Sequence, residues 1–141
     1  MRQFFKKSGF TLLEIVIVII IIGVLAGLAL PRFFSTIEYS RSIEALVNLA
    51  SVRQGMERCY IQRKSYKTCT TFEMLALDDP SKTPNSFFSY QILNLTNNGY
   101  RLVATRNTID GGSGIDTISL IQDNVTGKIT REGTSAFKGI Q

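Results

Sequence analysis

Glu14 is the residue of this sequence whose type and position most need a chemical reason. It stands four positions past Phe10, behind Lys6-Lys7-Ser8-Gly9, at the entrance of a segment otherwise composed for lipid. An ionisable side chain costs about 2.5 to 3.5 kcal/mol at the centre of a bilayer, so it needs a partner. Two partners are conceivable. Lys6 and Lys7 can reach back from the interface to neutralise the carboxylate. If the chain is cut after Gly9, the new amine at Phe10 of a neighbouring copy can meet it instead.

Other residues able to do chemistry are sparse. Cys59 and Cys69 have nine residues between them and the chain has no histidine, so ligands for zinc fall short. A single Cys59–Cys69 disulfide is expected if this part of the chain leaves the cytoplasm. Asp78 and Asp79 are adjacent carboxylates, and Pro80 behind them marks a turn. The stretch Asp110-Gly111-Gly112-Ser113-Gly114-Ile115-Asp116 offers hard oxygens to calcium from Asp110 and Asp116. It lacks the ligand spacing of an EF-hand, so a flexible turn without a cofactor is the expectation. Arg101, Arg106, Lys128 and Arg131, with Tyr100 to stack, could form a patch for nucleic acid, or simply solvated strand edges. Asn94-Leu95-Thr96 and Asn124-Val125-Thr126 fit an N-glycosylation pattern and are read as accidental matches. No phosphate loop or nucleophile elbow occurs, and no enzyme is expected.

The elements that position these residues follow from the apolar pattern. Ile15 to Leu30 are all apolar or glycine, and adding Phe10 to Leu13 gives the roughly 20 residues a helix needs to cross a bilayer. Three of the positive charges behind the net +5 (Arg2, Lys6, Lys7) precede the run. They keep residues 1 to 9 in the cytoplasm and send the chain beyond Pro31 across. A cleaved secretory signal would also explain the run, with Ala26 and Ala29 as small residues for cleavage. The helical pattern, however, resumes after Pro31: Ala45, Leu49, Val52, Met56 and Cys59 recur at spacings of four and three, with Ile43, Leu46, Val47 and Ala50 broadening the stripe. Arg41, Glu44, Asn48 and Arg58 lie opposite and are expected to face water, with contacts between subunits as the alternative.

Lys6-Lys7-Ser8-Gly9 followed by Phe10-Thr11-Leu12-Leu13-Glu14 resembles the class III signal of type IV prepilins and type II secretion pseudopilins. The resemblance implies cleavage by a prepilin peptidase after Gly9, N-methylation of Phe10, and Glu14 as the carboxylate that recruits a neighbour's terminus. It implies a helical filament of identical subunits, assembled by pilus machinery from an inner-membrane precursor and placed in an extracellular pilus or a periplasmic pseudopilus. Surface roles in adhesion or motility follow for the pilus. A major secretion pseudopilin and a minor DNA-uptake pilin are the alternatives. Gly23, Gly27 and Pro31 are spaced by four: Gly23 and Gly27 permit close helix approach, and Pro31 removes a backbone donor. By the resemblance this stretch loses helical order inside a filament; a gentle proline kink is the other outcome.

The remaining chain carries strand signals over 87 to 95, 100 to 106, 115 to 122 and 128 to 131. Asn98-Gly99 is expected to make a tight hairpin turn with positive φ, and 124 to 127 to join the last pair. A short helical turn is expected around Phe72 to Leu77. The expected fold is α+β: a long amino-terminal helix packed on a small antiparallel sheet of three or four strands, as in type IV pilins. Four regions result: a cleaved leader (1–9), a transmembrane and filament-core helix (10–31), an amphipathic helix half (32–62) and a globular head (63–141). The family's usual disulfide near the carboxyl terminus has no counterpart in the Cys59 and Cys69 spacing.

Overall fold

The computed structural model describes residues 9–140, so most of the leader, with Arg2, Lys6 and Lys7, lies outside the described residues. The chain divides into two compact units between Thr36 and Ile37, five residues beyond the boundary expected at Pro31. One helix, α1 (Leu12–Arg63), contributes to both.

In the first unit α1 has a window of mean hydropathy 3.0 with none of it buried. Its side chains from Leu12 to Leu30 lie open, except Ala26, which is half-buried. Pro31 lies inside the helix without ending it. The hydroxyls of Ser35 and Thr36 both donate to the carbonyl of Arg32 at 2.9 Å, just past the proline. In the single chain, Gly23 to Pro31 is therefore helical throughout.

In the second unit the expected stripe is the core: Ala45, Leu49, Val52, Met56 and Cys59 are buried, together with Ser42 and Gly55. The broadening residues do not share it. Ile43, Val47 and Ala50 are exposed and only Leu46 packs against the core, because they sit too far round a helix of 3.6 residues per turn. The flank expected to face water does so only in part: Arg58 is exposed, while Arg41, Glu44 and Asn48 are half-buried. Asn48 Nδ2 donates to the Tyr90 hydroxyl at 2.8 Å, Glu44 accepts from Ser86 and Phe87, and Arg58 donates to the carbonyl of Leu75. This flank holds the loops and the first strand against α1.

Four strands follow, β1 (Phe88–Leu93), β2 (Tyr100–Arg106), β3 (Thr117–Gln122) and β4 (Ile129–Gly133), antiparallel and in that order across the sheet. The register sets Leu102 opposite both Ile92 and Leu120, and Ala104 opposite both Tyr90 and Ile118. Period-two alternation carries this set to the core side, where Tyr100, Leu102, Ala104, Ile118 and Leu120 are buried. The expected helical turn near 72 to 77 is a 3-10 turn at Glu73–Leu75. Asp79 caps another at Pro80–Lys82 by accepting from Ser81 N–H at 2.9 Å. Phe137 and Ile140, which the strand pattern overlooked, fold back into the core behind β4.

The hairpin turn is a correction. Neither Asn98 nor Gly99 has a positive φ; Asn94 does, at 51°. β1 and β2 are joined by the six residues 94 to 99 rather than by a two-residue turn. Thr96 Oγ1 and Asn98 N–H bond to the Asn124 side chain, and Leu95 packs against the core, which holds the longer loop. Glycine is required at 99 for a different reason: a Cβ there would lie 2.7 Å from the carbonyl oxygen of Gln122.

The Cys59–Cys69 disulfide is present and ties the last turns of α1 to the following loop. Closing so short a loop limits the unfolded chain, so replacing both cysteines by serine should lower the unfolding free energy by about 2 to 3 kcal/mol. Denaturation of the full chain in detergent checks this. A loss below about 0.5 kcal/mol, the range of ordinary surface changes, would show that the cross-link holds nothing the core does not.

Candidate functional site

The start of α1 is built as a capping box, a threonine at the cap with a glutamate three residues on. The Thr11 amide and hydroxyl both donate to Glu14 Oε2 at 2.8 Å, and the Glu14 amide donates back to Thr11 Oγ1 at 3.2 Å. The motif satisfies amides that a helix end leaves unpaired. Among the described residues, nothing bonds Glu14 Oε1. Gly9 and Phe10 precede the helix and are exposed, Phe10 at 84%. Gly23 and Gly27 have no neighbour within 4 Å of where a Cβ would stand, so their face is open to another helix.

The second feature is a charged cluster in the head. Arg106 at the end of β2 is 1% exposed. Its Nε donates to Glu38 Oε2 at 2.9 Å and its Nη2 to Glu38 Oε1 at 3.1 Å. The remaining N–H groups reach the carbonyls of Phe87, Asn107 and Ile109 at 3.3, 3.0 and 3.0 Å. Arg41 pairs with Glu38 at 2.7 Å and with Asp110 at 3.2 Å. Both guanidinium groups also lie over the ring of Phe87, which adds cation–π attraction. The Arg106 bonds hold the Glu38 carboxyl below the usual carboxylate range, with Arg41 adding to the effect.

A family model described as "Type IV minor pilin ComP, DNA uptake sequence receptor" matches residues 31–115, and one described as "Prokaryotic N-terminal methylation motif" matches residues 4–30. The chain belongs to the type IV pilin family. That family consists of structural subunits rather than enzymes. Among its relatives, "Type IV major fimbrial protein FimA" of Dichelobacter nodosus is 35% identical over 74 residues, 50% of this chain and 47% of that one. "Type IV narrow pilus major component PilA5" of Thermus thermophilus is 36% identical over 64 residues, 45% of this chain and 55% of that one. "Type II secretion system core protein G" of Escherichia coli is 35% identical over 68 residues, 48% and 47%. This pilin thus spans about half the length of the curated relatives it matches.

Arg101, Arg106, Lys128 and Arg131, read either as a basic patch or as solvated strand edges, do not form one exposed patch in this pilin. Arg106 is consumed by Glu38, and Tyr100 is 2% exposed with its hydroxyl donating to Glu57. Arg101 pairs with Glu132 at 3.4 Å, leaving Lys128 and Arg131 exposed. The calcium candidates are not brought together: Asp110 faces Arg41, and Asp116 meets Ser113 through its backbone amide. Among the described residues no group of three or more His, Cys, Asp or Glu could hold a metal ion.

A buried tyrosine cluster went unread in the sequence. Tyr66 stacks on Tyr60 at 4.5 Å and meets Tyr100 edge-on at 4.8 Å, while Glu57 accepts from the hydroxyls of Tyr66 and Tyr100. Burial pushes the Tyr66 phenol up to about 12. Tyr66 follows a short polar segment, where periodicity gives no hint of burial.

The Glu38 shift fixes a pH dependence. Because its folded value is depressed, Glu38 stabilises the head fully above the usual carboxylate range, and that contribution is lost as pH falls through the folded value. Glu38→Ala should cost about 3 to 5 kcal/mol at neutral pH by stranding a buried guanidinium, and should flatten the acid limb of the stability curve. Thermal melts of both chains from pH 7 to pH 3 check it; parallel acid limbs would exclude the ion pair as their cause.

Proposed function

We propose that this pilin is the structural subunit of a type IV pilus filament, released from the inner membrane after cleavage behind Gly9 and N-methylation of Phe10. One observation carries the reading: from Leu12 to Leu30 α1 presents a helical surface that the other described residues leave largely open, within the stretch that matches the methylation motif. Parallel copies of α1 would cover it in the filament, with Gly23 and Gly27 permitting close approach. Glu14 would guide docking by offering its carboxylate to the Phe10 amine of a neighbour. The head would lie outside the cytoplasm, where the Cys59–Cys69 bond persists, and adhesion or motility would be its surface roles. Gly23 to Pro31, helical in the single chain, would be the stretch that yields on packing, since Pro31 leaves the carbonyl of Gly27 without its helical donor.

A second reading is a minor pilin for DNA uptake, favoured by the description of the family model that covers residues 31–115. Neutralised phosphates make such binding steeply salt-dependent. Retention of duplex DNA by the detergent-solubilised chain, lost as salt rises from about 50 to 200 mM, would support it; no retention at the low end would reject it.

Mass spectrometry and electron microscopy of filaments sheared from expressing cells test the first reading. A dominant subunit beginning at methylated Phe10 is expected, and Glu14→Ala should leave cleavage intact while lowering filament yield about tenfold or more. Processing at Phe10 with no surface filament would favour the pseudopilin or minor-pilin alternative. A chain that retains residues 1 to 9 would remove the prepilin reading.

A further inference from the structure

Most carboxylates of the head are already engaged. Among the described residues, only the side chains of Glu73, Asp78 and Asp116 bond to nothing in their own chain. Glu73 and Asp78 line one open depression of about 720 Å³ in the loop that follows α1, together with Asp79 and Lys82, so its acidic side chains outnumber its basic ones. A second depression, about 610 Å³, lies between α1 and the start of β4 and is lined by Arg53, Lys128, Ile129, Thr130 and Arg131. It holds three cations and no carboxylate, and none of the three forms an ion pair among the described residues. β4 is also an edge strand of the sheet.

We propose that the loop bearing Glu73 and Asp78 on one copy docks against the groove of Arg53, Lys128 and Arg131 on the next. The contact rests on the filament reading. Three neighbouring cations without a counter-charge repel one another, and two carboxylates from outside relieve that repulsion. The two surfaces differ, so the contact is heterologous: it leaves a free groove at one end and a free loop at the other, and extends as an open helix unless its rotation closes a ring. The cations also keep the β4 edge from pairing with strands indiscriminately.

Charge reversal in the full chain, expressed in cells that assemble it, tests the contact. Lys128→Glu with Arg131→Glu should lower filament yield by about tenfold or more, and so should Glu73→Lys with Asp78→Lys. All four changes together should restore the yield. Independently, a carbodiimide applied to filaments of the unaltered chain should join Lys128 Nζ to the carboxyl of Glu73 or Asp78 as an amide, the water lost being taken up by the reagent as its urea. Mass spectrometry would identify the joined peptides between subunits. Either double variant assembling at the parent level, or no rescue in the fourfold variant together with no joined peptide, overturns the proposal. Variants that assemble normally but lose retention of duplex DNA would assign the groove to nucleic acid instead, which also overturns it. Should the unaltered chain be cleaved at Phe10 and form no filament, the filament reading fails first and this contact with it.

Discussion

The head is organised by the burial of one guanidinium. A cation taken out of water is tolerated only where its charge is paired and its N–H groups are met. Arg106 has five such groups, and Glu38 with the carbonyls of Phe87, Asn107 and Ile109 meets all of them. Each partner is thereby placed. Glu38 fixes α1 against the end of β2, Phe87 fixes the entry to β1, and residues 107 to 112 wrap the group closely enough that a Cβ on Gly112 would lie 2.7 Å from its Cζ. Asp110 adopts a left-handed conformation (φ 51°) within this wrap and pairs with Arg41. The glycine-rich loop that suggested a cation site is shaped around a cation that the protein itself supplies.

The rest of the head extends the same logic along α1. Asn48 with Tyr90, Glu44 with Ser86 and Phe87, and Arg58 with Leu75 are polar contacts beside an apolar stripe, each between the helix and a loop or strand. Non-directional burial of Leu49, Val52 and Met56 drives the association. The directed bonds at its edges select the register. Past the far end of the stripe, the Cys59–Cys69 bond and the Tyr60, Tyr66 and Tyr100 cluster close the unit.

Legibility in the sequence followed the strength of the local signal. The stripe Ala45, Leu49, Val52, Met56, Cys59 could be read because helical periodicity is a property of one segment. β2 was read at its true limits because Tyr100 to Arg106 is flanked by Gly99 and by the glycine-rich loop. What failed depended on distant residues. Asn98-Gly99 has the composition of a tight turn, yet Asn124, on another loop, sets its conformation. Arg106 and Tyr100 have the composition of a nucleic-acid surface, but they fall on the core side of β2, and only pairing with β3 and packing on α1 decides their partners. Phe137 and Ile140 follow the last strand with no periodicity to announce them. At the membrane end, Gly9, Phe10 and Glu14 were legible as a motif, while the bond between Thr11 and Glu14 was overlooked although a threonine followed three residues on by a glutamate is itself a local signal.

That bond bears on why a carboxylate sits at the entrance of an apolar helix. A helix that begins in or near lipid cannot hand its first amides to water, and leaving them unpaired is costly. Glu14 and Thr11 satisfy two of them reciprocally, so the carboxylate has a structural duty in the single chain before any neighbour arrives. Both of its bonds to Thr11 fall on Oε2. The other oxygen keeps its acceptor capacity, one helical turn from Phe10. On the filament reading, a neighbour's amine can then be received without uncapping the helix, so docking need not forfeit the capping bonds. An aliphatic residue at 14 would lose both functions. A glutamine could keep part of the cap but would offer no charge, which separates the two roles chemically within a single side chain.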